Sequence, residues 1–102
     1  MSNEIARPDN DMLILSRMTQ ALHEKGLKAE LEHTGGGIYC IQTPTNEGGW
    51  LMWGVAEEVW GCDIYENEEY IDSHSLNDVP VSLSNIPQAA NAIIAFTKTR
   101  WL

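Results

Sequence analysis

Between Lys28 and Lys98 the sequence has no lysine and no arginine. A surface that binds nucleic acid needs such residues to neutralise phosphates, so direct nucleic-acid binding through this interval is excluded. Attraction to an anionic membrane surface is excluded for the same reason. Cysteine is scarce as well. Cys40 and Cys62 are too few for a disulfide framework, and with His23, His33 and His74 they show no zinc-ligand spacing. They read as reduced thiols. No apolar run is long enough to span a bilayer. The first ten residues are polar, with no signal-peptide segment. A cytoplasmic protein is expected, with no cofactor and no metal.

What is present is acid. The 102 residues carry a net charge of −9, and the interval without bases holds Glu30, Glu32, Glu47, Glu57, Glu58, Asp63, Glu66, Glu68, Glu69, Asp72 and Asp78. The bases, Arg7, Arg17, Lys25, Lys28, Lys98 and Arg100, lie toward the two ends. An apolar fraction of 43% is ordinary for a globular protein, and no repeat or linker divides the chain, so one domain over residues 1–102 is expected. Its centre is the stretch Gly35 to Tyr65. That stretch holds three of the four tryptophans, both cysteines and every glycine but Gly26.

The apolar spacing of Leu15, Met18 and Leu22 predicts a helix over about residues 10–25. Pro8-Asp9 opens it, Gly26 ends it, and Leu27 folds back on the last turn. Residues 1–8 have little to tie them down and are expected to be loose. Four strands follow: Lys28 to Thr34, Ile38 to Thr43, Gly49 to Val55, and a fourth from Trp60. Gly35-Gly36-Gly37 makes a three-residue hairpin that sets Thr34 opposite Ile38, Leu31 opposite Ile41 and His33 opposite Tyr39. Closing the next turn with Thr43 on Gly49 sets Ile41 opposite Leu51 and Tyr39 opposite Trp53. Closing the third with Val55 on Trp60 sets Trp53 opposite Cys62 and Leu51 opposite Ile64. Glu66, Glu68 and Glu69 suit a solvated turn. Tyr70 and Ile71 could begin a short fifth strand, and Val79-Pro80-Val81 is extended. Ser84-Asn85-Ile86-Pro87 starts a second helix, with Ala89, Ala90, Ile93, Ile94 and Phe96 inward and Trp101 returning to the core. The fold expected is α+β: an antiparallel four- to five-stranded meander sheet with N-terminal and C-terminal helices packed on one face.

These turns sort the strand residues onto two faces. Ala29, Leu31, His33, Tyr39, Ile41, Leu51, Trp53, Val55, Trp60, Cys62 and Ile64 face the helices. Glu30, Glu32, Ile38, Cys40, Gln42, Trp50, Met52, Asp63 and Tyr65 face away.

Chemistry finds little support in this pattern. The run Asp63 to Glu69 lacks the glycine and the starting acids of a calcium loop. His33 and Cys62 share a face but sit on strands that are not neighbours, so a nucleophile–base pair is not assembled. The glycines at 35–37 turn a hairpin and do not open a helix, so they cradle no phosphate. No catalytic residue is named, and an enzyme is the least supported class.

Binding is better supported. Trp50, Met52, Ile38 and Tyr65 lie in the middle of the away-facing side, with Glu30, Glu32 and Asp63 around them. Aromatic and thioether groups inside a charged rim are the make-up of a protein interface. The bland alternative is that the segment Leu76 to Leu83 folds under this face and covers it. A homodimer through it would oppose acids to acids, so a basic protein partner fits better. One version of that partner is a nucleic-acid-binding enzyme, whose basic channel an acidic protein can occupy as a decoy of the phosphate backbone. Immunity proteins against nuclease toxins and phage-encoded inhibitors act in this way as classes.

The stretch Leu31-Glu32-His33-Thr34-Gly35-Gly36-Gly37 after a short amphipathic helix, with the later Gln88-Ala89-Ala90-Asn91-Ala92, resembles small α-β-β-β-α proteins of actinobacteria and their phages. The resemblance implies a helix paired with a glycine-rich hairpin and an alanine-rich final helix. It implies no activity.

Overall fold

A computed structural model of the chain describes residues 2–35, 38–45, 48–56 and 58–100, the side chains of residues 2–11, 34, 35, 38, 56 and 100 excepted. The element order is α1 (Ser2–Glu24), β1 (Glu30–Gly35), β2 (Ile38–Pro44), β3 (Trp50–Ala56), β4 (Val59–Glu66), β5 (Glu69–Pro80), a 3-10 turn (Leu83–Asn85) and α2 (Ile86–Arg100). The strands form one antiparallel sheet in the order β1-β2-β3-β4-β5, each paired with the next in sequence. The two helices pack on each other and on one face of that sheet, so the fold is the expected α+β. Among the described residues no helix is long and apolar enough to cross a membrane.

The end of α1 follows from Gly26. Its φ of 93° is open to glycine at no steric cost. It lets the Gly26 and Leu27 amides turn back to the carbonyls of His23 and Leu22, at 3.0 and 2.9 Å. His23 Nε2 then bonds the Ala29 carbonyl, tying the helix end to the approach to β1. The start of α1 differs from the expected one. The helix begins at Ser2 and carries Pro8 within it. Proline there loses its own donor and crowds the carbonyl four residues before it, and the helix nonetheless runs through.

Three turns set the register. The third is as expected: Val55 faces Trp60, Trp53 faces Cys62 and Leu51 faces Ile64. In the first, Leu31 faces Ile41 and His33 faces Tyr39, but Gly35 rather than Thr34 faces Ile38. A bulge between His33 and Gly35 absorbs the extra residue. Gly36 and Gly37 of that hairpin lie outside the described residues. The second turn corrects the expected pairing. Ile41 faces Trp53, Thr43 faces Leu51 and Pro44 faces Trp50. The cause is that Thr45 closes the loop: its amide donates to the Gly49 carbonyl at 3.0 Å, and the Gly49 amide donates to Thr45 Oγ1 at 3.1 Å. The register moves by an even step, which keeps every side chain on its own face.

β5 is longer than the short strand expected, and it stays in the sheet. The β4–β5 hairpin turns on Asn67 and Glu68, both at positive φ, between the paired Glu66 and Glu69. Two positive φ values give the turn the twist that adjacent strands require. Pro80 is tolerated because β5 is an edge strand.

The core lies between the helices and one sheet face. α1 supplies Leu15, Met18 and Leu22, and α2 supplies Ile86, Ala89, Ala90 and Ile93. The sheet answers with Ile41, Leu51, Trp53, Trp60, Cys62 and Ile64. Thr43 is buried with them and accepts the Trp53 indole N–H at 3.2 Å. Phe96 meets the Trp53 ring edge-on at 5.6 Å. Among the described residues the buried Trp60 indole N–H finds no hydrogen-bond partner. His33, Tyr39 and Val55 share the helix-side register, yet they are exposed, although Trp60 opposite Val55 is fully buried. Trp101 lies outside the described residues.

Candidate binding face

The side of the sheet away from the helices is organised in cross-strand rows. The pairings place Pro44, Trp50, Tyr65 and Tyr70 in one row, over β2 to β5. Glu30, Gln42, Met52, Asp63 and Ser73 form the next, over all five strands. Of the residues assigned to this face by sequence, Trp50, Met52, Tyr65, Cys40, Gln42 and Glu32 are half-buried, and Glu30 and Asp63 are exposed. Ile38 is in β2, paired with Gly35, and its side chain lies outside the described ones.

The first row is a ridge of rings. Trp50 and Tyr65 stack nearly parallel, with centroids 5.6 Å apart and planes at 11°. Tyr65 meets Tyr70 at 5.9 Å and 69°, so the ridge ends in a corner. Sequence reading missed Tyr70 and Ser73. Tyr70 joins the face because the Glu66–Glu69 hairpin sets it opposite Tyr65, and Ser73 because a bulge at Ile71 sets it, rather than Asp72, opposite Asp63. A hydroxyl relay locks the corner. Ser73 Oγ donates to Asp63 Oδ1 at 2.8 Å, so the Tyr70 hydroxyl is the donor in its 2.6 Å bond to Ser73 Oγ. The Asp63 carboxylate is thereby held beside the aromatic row.

The floor of the face is lower farther along β3 and β4. There Gly54 pairs with Gly61, and a side chain added at Gly54 would touch nothing within 4 Å. Gly49 is the opposite case: a Cβ there would collide with the backbone carbonyl of Tyr65. Glycine at 49 is what lets β3 come close enough to β4 to bring Trp50 against Tyr65.

Leu76, Val79 and Val81 do not cover this face. They pack against the core cluster that both helices enter. His74 faces the same way and stacks on Phe96 of α2 at 4.6 Å. The Val81 amide is pinned to the Glu58 carbonyl at 2.9 Å. The apolar residues of the segment weighed as an alternative cover thus pack on the opposite side.

The residues weighed for catalysis are not brought together. His33 is exposed on β1 with its ring 4.6 Å from Tyr39, while Cys62 is buried on β4, with β2 and β3 between the two strands. Among the described residues no group of three or more histidines, cysteines and acids is placed to hold a metal ion. Cys40, half-buried on the away-facing side, has its thiol pKa raised above the ordinary value, first by burial and then by the carboxylates of Glu32 and Asp63. A thiol so placed stays protonated and is a poor nucleophile.

Set against known proteins, the chain matches no family model, no curated protein and no solved structure.

Proposed function

We propose that the chain is a small acidic protein-binding module that docks a basic protein through the side of the sheet away from the helices. The observation that carries this reading is the Trp50–Tyr65–Tyr70 ridge on a face that no described helix packs against. Aromatic rings on a rigid sheet offer contact area with little side-chain entropy left to lose. The rim is Glu30, Glu32 and Asp63, with no lysine or arginine of the chain itself between Lys28 and Lys98 to offset it. That charge speeds encounter with a cationic partner and repels a second copy.

Replacing Trp50 and Met52 together by serine tests it. The immobilised natural chain is expected to retain partners from a cell extract that the double variant loses, and to release them as salt rises. Identical retention by both chains, with the variant still folded, would overturn the proposal.

The same acidic sheet supports a second, narrower reading as a decoy that fills the phosphate channel of a nucleic-acid-binding enzyme. It predicts that the retained partner is displaced by duplex DNA or RNA.

A further inference from the structure

The corner of the aromatic ridge has a chemistry more specific than a general acidic surface. Three observations meet there. The Tyr70 ring is 54% exposed and stands across the end of the Trp50–Tyr65 stack. The Asp63 carboxylate is fixed next to it through Ser73, using Oδ1. The cross-strand neighbours of Asp63 in that row, Met52 and Ser73, are uncharged, so nothing beside it in the row neutralises it.

Resting on the binding reading above, we propose that Tyr70, Tyr65 and Asp63 form an arginine-reading site, in which a guanidinium of the basic partner lies on the Tyr70 ring and forks onto the Asp63 carboxylate. Guanidinium is planar, weakly hydrated and stacks on aromatic faces, and its paired N–H donors match a carboxylate. Lysine carries a compact, strongly hydrated charge that profits from the carboxylate but little from the flat ring. The site therefore selects arginine over lysine, where the acidic rim alone would accept both. Tyr70, Ser73 and Asp63 are already hydrogen-bonded to one another, so little ordering remains for the moment of binding.

The test uses the full chain, isotope-labelled, and two capped dodecapeptides at low salt: one alternating glycine with arginine, the other glycine with lysine. The arginine peptide is expected to shift the Trp50 indole and the Asp63 and Tyr70 amides, and to bind about fivefold more tightly than the lysine peptide. Tyr70→Ala, an exposed substitution whose folding the same spectra verify, is expected to erase that preference, and Asp63→Asn to weaken binding of both peptides. Ser73→Ala, which frees the carboxylate to wander, is expected to weaken the preference while leaving the lysine peptide unaffected. Equal affinity for the two peptides, a preference that survives in Tyr70→Ala, binding of both peptides unchanged in Asp63→Asn, or shifts confined to other surfaces would each overturn the proposal. So would shifts of the ridge on diluting the protein alone, which would mean that a second copy occupies the face. The extract experiment on Trp50 and Met52 does not depend on this preference, so a partner retained without arginine selectivity removes the arginine site and leaves the binding module standing.

Discussion

Strand β3 sends Leu51 and Trp53 to the side under the helices and Trp50 and Met52 to the other. Neighbouring residues of the same kind thus meet opposite fates. Trp53 is fully buried, its indole N–H is taken by Thr43, and its ring is closed over by Phe96. Trp50 stays half-buried against Tyr65. The cysteines divide in the same way, Cys62 into the core and Cys40 onto the open side. The lesson is that residue type does not separate a covered face from an open one in this sheet. Cover separates them, and the cover comes from helices far away in sequence.

The sharpest way to break that comparison is to truncate the two tryptophans separately. Trp53→Ala is expected to cost about 3–5 kcal/mol, through lost burial and the cavity left behind. Trp50→Ala is expected to cost roughly 1 kcal/mol, the scale of one exposed aromatic pair. Denaturant unfolding measures both, and equal losses would mean that the two faces are equally buried. The glycines give a middle-sized contrast. Gly49→Ala forces β3 away from the Tyr65 carbonyl and is expected to cost about 1–3 kcal/mol. Gly54→Ala meets open space and is expected to change stability by no more than about 0.5 kcal/mol. The smallest effect is chemical. Alkylation followed by mass spectrometry should modify Cys40 before Cys62, and more slowly than a free cysteine at pH 8. The raised thiol pKa leaves little thiolate at that pH, and the rate should climb only as the pH rises further. Removing a carboxylate with Glu32→Gln lowers that pKa and should speed the reaction.

Much of this division was legible in the chain. Residues 50–53 are apolar on both sides, but closing the short turn with Val55 on Trp60 gave the register of residues 50–55 against 60–65, and both faces followed. The slip between β2 and β3 came from Thr45. It has the composition of a turn, yet its hydroxyl and amide close a pair with Gly49 and lengthen the strands. Thr43 consequently became a core residue, which a search for apolar side chains passes over. β5 was the hardest element. Asp72, Ser73, Asn77 and Asp78 are poor strand formers, and its hairpin turns on Asn67-Glu68, without the glycine that normally marks such a turn. Trp50, Met52, Tyr65, Glu30, Glu32 and Asp63 could be placed on one face by counting in twos. Tyr70 needed the Asn67-Glu68 hairpin to be seen first, and Ser73 could not be placed because a bulge at Ile71 resets the count and no composition signal announces it.

The helices that pack together are the first and last elements of the fold, while each strand has only to find its successor. On the ribosome the hairpins can close as they emerge, but Ile93 and Phe96 arrive after the whole sheet has been made. Until then Trp53 lacks the Phe96 ring that meets it edge-on in the finished fold. A chaperone or a partner already waiting at the Trp50 side would meet this chain before its own last helix does.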